Sequence, residues 1–349
     1  MHISTNTSNN LDSLPTEDEI ISYWGNKYHT NDIVISICCI TYNQEAYIQD
    51  ALNSFLKQKT AFPFEILIGD DRSTDNTLNI LIEYQNKYPN IIRIICPEKN
   101  LGANSNLLNL IHHAKAKYIA LCEGDDFWID SHKLEKQYST MIKYDTNFSY
   151  HRAYKLNGNR KRISFSYGEN ILTTNIKNIF HTHGQYSPTS SYMLKKEVFD
   201  ILPNWFSNAV IGDFFLEIYS MKDKNGLYLP DIMSVYRENA INSWTRNHSQ
   251  IDKKINIYKK IIESLLLSKS DFNKEINLLL DEKICHLYFL IVNLYLEKRN
   301  FDESKKYITL LRKIHTKFSI KYTIYGTFKN MPYFIIFLIK AKNKLKKLF

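Results

Sequence analysis

The stretch Tyr118-Ile-Ala-Leu-Cys-Glu-Gly-Asp-Asp-Phe-Trp128 joins an apolar run to a tight group of acids. Residues 118–122 have the length and composition of a short buried strand. The strand ends at residues 123–126, here called the acidic turn, which contain three carboxylates and one glycine. Carboxylates this close repel one another, so their pKa values rise unless a cation lies among them. Oxygen ligands in a tight turn suit Mg²⁺ or Mn²⁺, although a solvated turn ahead of a capped helix would have the same composition.

Three further apolar runs precede this strand and alternate with segments of helical periodicity. The four predicted strands are residues 34–41, 64–68, 91–96 and 118–122. This alternation is typical of a parallel sheet with helices on both faces, which assigns the chain to the α/β class. Right-handed crossovers place the carboxyl ends of parallel strands at one edge of the sheet. We therefore expect Thr41, Tyr42, Asp70 and Asp71 to face the same crevice as the acidic turn.

Composition narrows the class of ligand. The 349-residue chain carries a formal net charge of +9, which favours an anionic partner such as a nucleotide or a membrane surface. It contains neither a G-x-G-x-x-G nor a G-x-x-x-x-G-K-[ST] sequence, the glycine-rich loops that cradle phosphates. A phosphate ligand would therefore be held by a metal ion and by Arg or Lys side chains.

The chain after the acidic turn is less regular. Residues 155–184 are weakly patterned, polar and basic, and we expect them to include a mobile loop. The expected elements around this loop are a helix at 131–144, a strand at 148–154 and short strands at 226–229 and 232–236. Asp213 is an isolated acid in an otherwise apolar segment. It is either a functional carboxylate or the cap of a helix that begins at Phe214.

From about residue 250 the pattern is helical throughout. We predict three parts: a tail with a short helix at 1–32, an α/β domain at 33–248 and an all-helical region at 249–349. The last helix is amphipathic and lysine-rich, so it could lie on an anionic membrane surface or pack on the protein body. The N-terminus does not resemble a signal peptide, and no transmembrane helix is expected. These features favour a cytoplasmic location, peripheral at the inner membrane.

Six motifs, taken in order, resemble family 2 glycosyltransferases. They are Ile35-Ser-Ile-Cys-Cys-Ile-Thr-Tyr-Asn43, Gly69-Asp-Asp-Arg-Ser-Thr-Asp75, Asn100-Leu-Gly102, Glu123-Gly-Asp-Asp-Phe-Trp128, Gly212-Asp-Phe214 and Tyr236-Arg237. The resemblance covers residues 33–246 and leaves the helical region uncovered. It implies a GT-A fold, which is a Rossmann-like, mostly parallel sheet with flanking helices. It also implies an inverting enzyme that uses a nucleotide-sugar donor.

The resemblance implies roles for the residues after the first two strands. Thr41 and Tyr42 match positions that line the nucleotide pocket, where a tyrosine face can stack on a base. Asp70 and Asp71 match an acidic pair, of which one can accept the imide N–H of uracil. The other could instead orient its loop by capping a helix that starts near Thr74.

In the acidic turn, the resemblance implies a divalent cation that bridges the two phosphates of the donor. Asp125, or Asp126 beside it, would bind Mn²⁺ or Mg²⁺. Glu123 stands where the family usually has an aspartate, and it could contact the ribose or a metal-bound water instead.

The later motifs imply the remaining roles. Asp213 matches the catalytic base, which removes the proton of the acceptor hydroxyl in an inverting displacement. Arg237 and Arg246 match a segment that folds over the pyrophosphate, where arginine can form bidentate hydrogen bonds. Many relatives have a histidine metal ligand soon after the arginine, whereas here the first histidine of that stretch is His248.

The resemblance predicts sugar transfer, most simply from a UDP-linked donor, to a hydroxyl of a glycan or lipid-linked glycan in bacterial surface polysaccharide synthesis. Two alternatives stay open: a catalytically silent sugar- or membrane-binding scaffold, and a nucleotidyltransferase. The scaffold would not need Asp125, Asp126 and Asp213 together, and the nucleotidyltransferase would need a basic glycine-rich signature that the N-terminus lacks. Nucleic acid is not expected as a partner, because lysines are concentrated in the C-terminal helix.

Overall fold

The fold was obtained as a computed structural model. The structure describes residues 14–25, 32–182, 185–240, 250–314 and 320–345. The chain divides into two compact units, Met1–Asn247 and His248–Phe349.

Strands β1 to β10 all belong to the first unit and form one sheet. Their bounds are Ile35–Thr41 (β1), Phe64–Asp70 (β2), Ile92–Ile95 (β3), Tyr118–Leu121 (β4), Phe127–Trp128 (β5), Phe148–Asn157 (β6), Arg160–Ser164 (β7), Leu172–Thr174 (β8), Met193–Lys195 (β9) and Gly226–Arg237 (β10). The order along the sheet is β3-β2-β1-β4-β9-β6-β10-β5, with β7 paired to β6 and β8 to β10. Strands β1 to β4 are mutually parallel, as the alternation of elements predicts.

Eight helices accompany the sheet in the described part of this unit. Their bounds are Glu17–Ser22 (α1), Ile48–Leu56 (α2), Thr77–Lys87 (α3), Ala103–His113 (α4), Lys133–Tyr144 (α5), Ile176–Phe180 (α6), Glu197–Asp200 (α7) and Gly212–Ser220 (α8). Short 3₁₀ helices lie at Thr189–Ser191 and Asn204–Asn208. Every residue of β2 is buried, because helices cover both faces of the parallel part of the sheet. The GT-A fold class is confirmed.

An extensive core cluster lies on one face of this parallel half. Alternate residues of the strands, such as Ile37 and Ile66, point into it and pack with Leu52 and Phe55 of α2 and Tyr84 of α3. The period of two along a strand explains why alternate residues share this face. This packing fixes the position of each strand in the sheet. The residues that follow the strands therefore lie together at the carboxyl edge of the sheet.

The second half of the sheet differs from the sequence pattern in three places. Residues 155–184, expected to include a loop, also contain the end of β6, the strands β7 and β8 and helix α6. The two short strands expected at 226–236 form one strand, β10, whose register against β6 shifts between Leu229 and Ser234. Asp213 does not cap its helix: α8 begins at Gly212 and its N-cap is Ile211.

The second unit is all-helical, as expected. Its helices are Ile251–Ser268 (α9), Lys274–Glu297 (α10), Phe301–Ile314 (α11), Ile320–Thr327 (α12) and Pro332–Leu345 (α13), with a 3₁₀ turn at Lys269–Asp271. Helix α12 did not appear in the sequence pattern. In the ranges that the structure describes, no helix is both long and apolar enough to cross a membrane.

Candidate active site

The loops after β1 and β2 are tied together by hydrogen bonds between side chains and backbone. The Thr74 N–H donates to Asn43 Oδ1 at 2.7 Å, and the Gln44 N–H donates to Thr77 Oγ1 at 2.9 Å. Thr41 Oγ1 in turn donates to Gln44 Oε1 at 2.8 Å. Two strand ends that are thirty residues apart in sequence therefore form one rigid rim of the crevice.

Tyr42 and Thr41 occupy this rim in different ways. The Tyr42 side chain is 43% exposed, whereas Thr41 is buried. An exposed phenol ring on a fixed loop offers a flat face on which a nucleobase can stack. Thr41 supports the loop through its bond to Gln44.

The acidic pair after β2 is split between two tasks. Both carboxylate oxygens of Asp71 accept backbone N–H groups, from Leu101 at 2.7 Å and Gly102 at 2.8 Å. Asp71 therefore holds the loop that precedes α4 and does not cap a helix near Thr74. In Asp70, Oδ2 accepts the Ser73 N–H at 3.1 Å, while the buried Oδ1 has no hydrogen-bond partner among the described residues.

The acidic turn is packed directly against this rim through Gly124. A Cβ atom on Gly124 would lie 2.4 Å from Gln44 Oε1 and 2.9 Å from Thr41 Oγ1. Real Cβ contacts are longer than this, so no larger residue fits without displacing the rim. The glycine between the acids thus lets the backbone of the turn reach the end of β1, where its N–H donates to the Ile40 carbonyl at 3.0 Å.

Arg237 fastens the other side of the acidic turn. Its backbone N–H donates to Asp126 Oδ1 at 2.8 Å, and its Nη1 donates to the Asp125 carbonyl at 2.6 Å. The guanidinium also forms an ion pair with Asp50 of α2 and lies over the Phe127 ring. In this structure Arg237 therefore fixes the shape of the acidic turn.

The carboxyl groups of the turn are strongly perturbed. Burial, followed by the charges of Asp125 and Asp213, raises the pKa of Glu123 to about 8. Burial also raises the pKa of Asp125, against the opposing effect of Arg237, and it raises that of Asp126 well above its usual range. Crowded acids with raised pKa values are typical of a site that receives a cation or a proton.

Asp213 reaches the same site from the second half of the sheet. It lies in the first turn of α8, and its charge acts on Glu123. Asn104 of α4 positions this turn: its Nδ2 donates to the Phe206 and Ala209 carbonyls at 3.0 and 2.7 Å. A Cβ atom on Gly212 would lie 2.2 Å from Asn104 Oδ1, so the glycine permits close approach of the two helices.

The structure therefore connects the loop held by Asp71 to the helix that carries Asp213. Residues 36–202 match the sequence model of the family described as "Glycosyl transferase family 2".

Residues 36–202 of the chain form a glycosyl transferase family 2 domain.

Curated relatives of this chain share part of its length. An uncharacterised protein of Mycobacterium bovis is 32% identical over 217 residues, which is 60% of this chain and 60% of the relative. The Escherichia coli UDP-Glc:alpha-D-GlcNAc-diphosphoundecaprenol beta-1,3-glucosyltransferase is 33% identical over 129 residues, or 37% of this chain and 49% of the relative. The chain thus spans about 60% or less of the length of these two relatives.

Solved structures show the same fold at low sequence identity. Staphylococcus aureus TarS, residues 1–349, in complex with UDP-GlcNAc has a TM-score of 0.60 and 18% identity, with 81% of this chain and 80% of that chain covered. A mannosyltransferase from Pyrobaculum calidifontis in complex with GDP-Man and Mn²⁺ has a TM-score of 0.52 and 11% identity, with 85% and 84% covered.

Two residues near Asp213 and the acidic turn were not assigned a role from the sequence. Glu217 is buried on α8, one turn after Asp213, and Tyr236 lies on β10. Burial and the charges of Glu123, Asp126, Asp125 and Asp213 all raise the pKa of Tyr236. The spacing of four between Asp213 and Glu217 was a visible signal, since it places both acids on one face of a helix.

Some predicted residues fall outside this description. Arg246 and His248 lie outside the described residues, so their predicted roles stay predictions.

Within the described ranges, no group of three or more His, Cys, Asp or Glu side chains is arranged to hold a metal ion. Mg²⁺-type ions usually take one or two carboxylates plus substrate phosphates, an arrangement for which two adjacent aspartates suffice.

Proposed function

We propose that this chain transfers a sugar from a UDP-linked donor to a hydroxyl of a glycan or lipid-linked glycan, with inversion, during bacterial surface polysaccharide synthesis. One observation carries the proposal: Arg237 at the end of β10 donates hydrogen bonds to Asp126 and to the Asp125 carbonyl, and the charges of Glu123, Asp125, Asp126 and Asp213 together raise the pKa of the neighbouring Tyr236. Acids from both halves of the sheet therefore meet at its carboxyl edge. A silent scaffold or a nucleotidyltransferase would not require the fourth acid, Asp213.

The first half of the sheet would hold the nucleotide. Tyr42 offers an exposed face for stacking, and Asp70 Oδ1 is a buried acceptor without a partner among the described residues. An acceptor of this kind suits the imide N–H of uracil, because a buried acceptor without a hydrogen-bond donor destabilises the folded protein. The UDP-GlcNAc in TarS and the UDP-glucose donor named for the E. coli relative support the same donor class.

Asp125 is the proposed metal ligand of the acidic turn, and the neighbouring Asp126 would support it. Asp126 is 1% exposed and its Oδ1 already accepts the Arg237 N–H, whereas Asp125 is 9% exposed. A bound Mn²⁺ or Mg²⁺ would supply a Lewis acid that stabilises the departing diphosphate. The Mn²⁺ of the mannosyltransferase structure supports a divalent ion in this fold. Glu123 would contact the ribose or a metal-bound water.

Asp213 is the proposed general base. It would accept the proton of the acceptor hydroxyl as the oxygen attacks the anomeric carbon, which typically contributes roughly 10²- to 10⁴-fold. The undecaprenyl diphosphate-linked acceptor named for the E. coli relative supports a lipid-linked acceptor here. Arg237 would assist by holding the acidic turn, and Arg246 by contacting the pyrophosphate.

The experiment is incubation of the protein with UDP-sugars, Mn²⁺ and a lipid diphosphate-linked sugar as acceptor. We expect acceptor-dependent UDP release and a product whose anomeric configuration, measured by NMR, is opposite to that of the donor. Retention of configuration would exclude Asp213 as a base for direct displacement. Intact UDP binding without transfer to any acceptor would favour the scaffold.

We also propose peripheral contact with an anionic membrane through α13. Met331, Tyr333 and Phe337, at the start of and within this helix, are 55%, 67% and 63% exposed. Their sequence neighbours include five lysines between residues 340 and 347. Exposed apolar side chains next to lysines suit the interface of a bilayer that contains acidic lipids.

Vesicle sedimentation tests this contact. We expect the protein to sediment with vesicles of acidic phospholipid more than with neutral ones, and the variant Tyr333→Ser/Phe337→Ser to lose this preference. The matched control is Leu266→Ser/Leu267→Ser, which removes two exposed apolar residues from α9. Equal loss in both variants, or none in either, would contradict a specific role for α13.

A further inference from the structure

A buried carboxylate lies beside the proposed base without a role in the proposed function. Glu217 is 2% exposed on α8, four residues after Asp213. Residues four apart on a helix lie one above the other. The side chain faces residues 186–192, the segment that leads into β9 next to the acidic turn's own strand β4.

Hydrogen bonds join Glu217 to this segment. Its Oε1 accepts the Ser187 N–H at 3.1 Å, the Ser187 Oγ–H at 3.2 Å and the Tyr192 hydroxyl at 2.5 Å. Ser187 and Tyr192 are both fully buried. A glutamine at position 217 could accept the same bonds through its amide oxygen. Packing alone therefore does not explain why the side chain here is an acid.

The titratable groups around Glu217, among the described residues, lie on three segments. Asp213 lies on its own helix, Tyr186 and Tyr192 lie on the facing segment together with Ser187, and Tyr167 lies on the loop before β8. Other elements packed against α8 contribute aromatic rings, Phe180 against Phe214 and Trp205 against Phe215. Burial, followed by the charge of Asp213, raises the pKa of Glu217 to about 8.

We propose that Glu217 is a positioning residue that fixes the segment 186–192 against α8 and, when ionised, makes Asp213 a stronger base. The inference rests on the proposed function, in which Asp213 accepts the proton of the acceptor hydroxyl. In that step the acceptor oxygen bonds to the anomeric carbon, and the bond from this carbon to the diphosphate breaks with its electron pair. Glu217 neither gains nor loses a bond, and it acts only through its hydrogen bonds and charge.

The main test is the pH dependence of kcat for Glu217→Gln. In the unmodified protein we expect kcat to rise a few-fold through about pH 8 as Glu217 ionises, because a stronger base transfers the proton faster. Burial also raises the pKa of Glu123 to about 8, so the comparison is one of the size of the rise. In Glu217→Gln we expect a smaller rise while the Kd for UDP stays the same, and a rise of the same size in the variant would overturn the proposal.

A second variant separates this role from a purely structural one. The Tyr192 hydrogen bond lowers the pKa of Glu217, so Tyr192→Phe should move the rise in kcat to higher pH and leave it in place. An unchanged midpoint would contradict the proposal. A merely structural Glu217 would alter stability in both variants and leave the pH profile unchanged.

A readout that does not depend on transfer keeps the two proposals distinguishable. Difference infrared spectra between the unmodified protein and Glu217→Gln should show a protonated carboxyl band that disappears through about pH 8. If this band titrates but no sugar is transferred, the proposed function fails, whereas Glu217 still holds its proton as described. If transfer occurs and no such band exists, the inference about Glu217 fails.

Discussion

The two halves of the sheet differ in how their functional residues reach the crevice. In β1 to β4 the polar residues follow the strands directly, although β1 pairs with β4 across about eighty residues of sequence. In β5 to β10 the main pairing, of β6 with β10, also joins strands about eighty residues apart. The first half thus presents its acids at the ends of its strands, whereas the second presents Asp213 from helix α8, well after the end of β9.

This difference indicates which contacts a substitution would disturb in each half of the sheet. A change at the acidic turn acts on a backbone that already touches the rim through Gly124. A change in the second half acts through contacts such as those of Asn104, which link α4 to the helix of the base. The following variants test this contrast, from the largest expected effect to the smallest.

Asp213→Asn should have the largest effect on activity and little on donor binding. Loss of a general base typically costs roughly 10²- to 10⁴-fold in rate, and the residue lies outside the proposed nucleotide site. Steady-state kinetics and UDP titration measure the two effects. Asp200→Asn, which changes an exposed acid on α7, is the control. Equal loss of UDP binding and rate would contradict the division of roles between the two halves.

Gly124→Ala should disrupt the first half. The added Cβ would lie 2.4 Å from Gln44 Oε1, and overpacking of this kind typically costs about 1–3 kcal/mol. We expect a lower free energy of unfolding, measured with urea, and weaker UDP binding. Gly25→Ala is the control, because its nearest contact, with the Ala61 carbonyl oxygen, is 3.3 Å. Unchanged UDP binding in Gly124→Ala would show that the acidic turn is not part of the donor site.

Asn104→Ala should uncouple the two halves. It removes hydrogen bonds to the Phe206 and Ala209 carbonyls, and leaving buried groups unmet costs about 1–3 kcal/mol each. Because Asn104 positions the helix of the base, kcat should fall more than UDP affinity. Ser105→Ala, which loses a longer bond of 3.4 Å to the Ser207 carbonyl, should behave nearly as the unmodified protein. A loss confined to UDP affinity would contradict the link.

Lys133→Met should have the smallest effect at pH 7 and a clear effect on pH dependence. Lys133 is fully buried over the Trp128 ring, and burial lowers its pKa to about 7. The folded chain thus binds fewer protons than the unfolded chain between about pH 7 and 10.5, so its stability rises with pH across that window.

The slope contributed by Lys133 is up to about 1.4 kcal/mol per pH unit, and the methionine variant should lack it. Urea unfolding at several pH values measures the slope. Lys143→Met, which changes an exposed lysine of the same helix, should keep the slope. Parallel pH profiles for Lys133→Met and the unmodified protein would contradict the assignment.

The sequence predicted the first half well because its signals are local. Each apolar run is followed within a few residues by its polar end, after Thr41, Gly69 and Cys122, and the structure confirms the parallel order of the strands. Which of Asp70 and Asp71 orients a loop could not be predicted. Asp71 is held by Leu101 and Gly102, and nothing in the sequence near Asp71 indicates that pairing.

The second half was predicted poorly because its strands lack a local signature. Strand β7 contains Arg160, Lys161 and Arg162, which are exposed, so it shows no alternation of apolar and polar residues. Strand β10 contains Pro230 at a shift of register, which made one strand look like two. Glu217 and Tyr236 became site residues only when the fold brought α8 and β10 to the acidic turn.

Calorimetric titration with UDP tests the central claim most directly. It compares the unmodified protein with Asp125→Ala, each with and without Mn²⁺. The account predicts binding to the unmodified protein with Mn²⁺ and marked weakening when either the ion or the Asp125 carboxylate is removed. UDP binding of equal affinity in all four titrations would show that the acidic turn does not form a metal-dependent donor site.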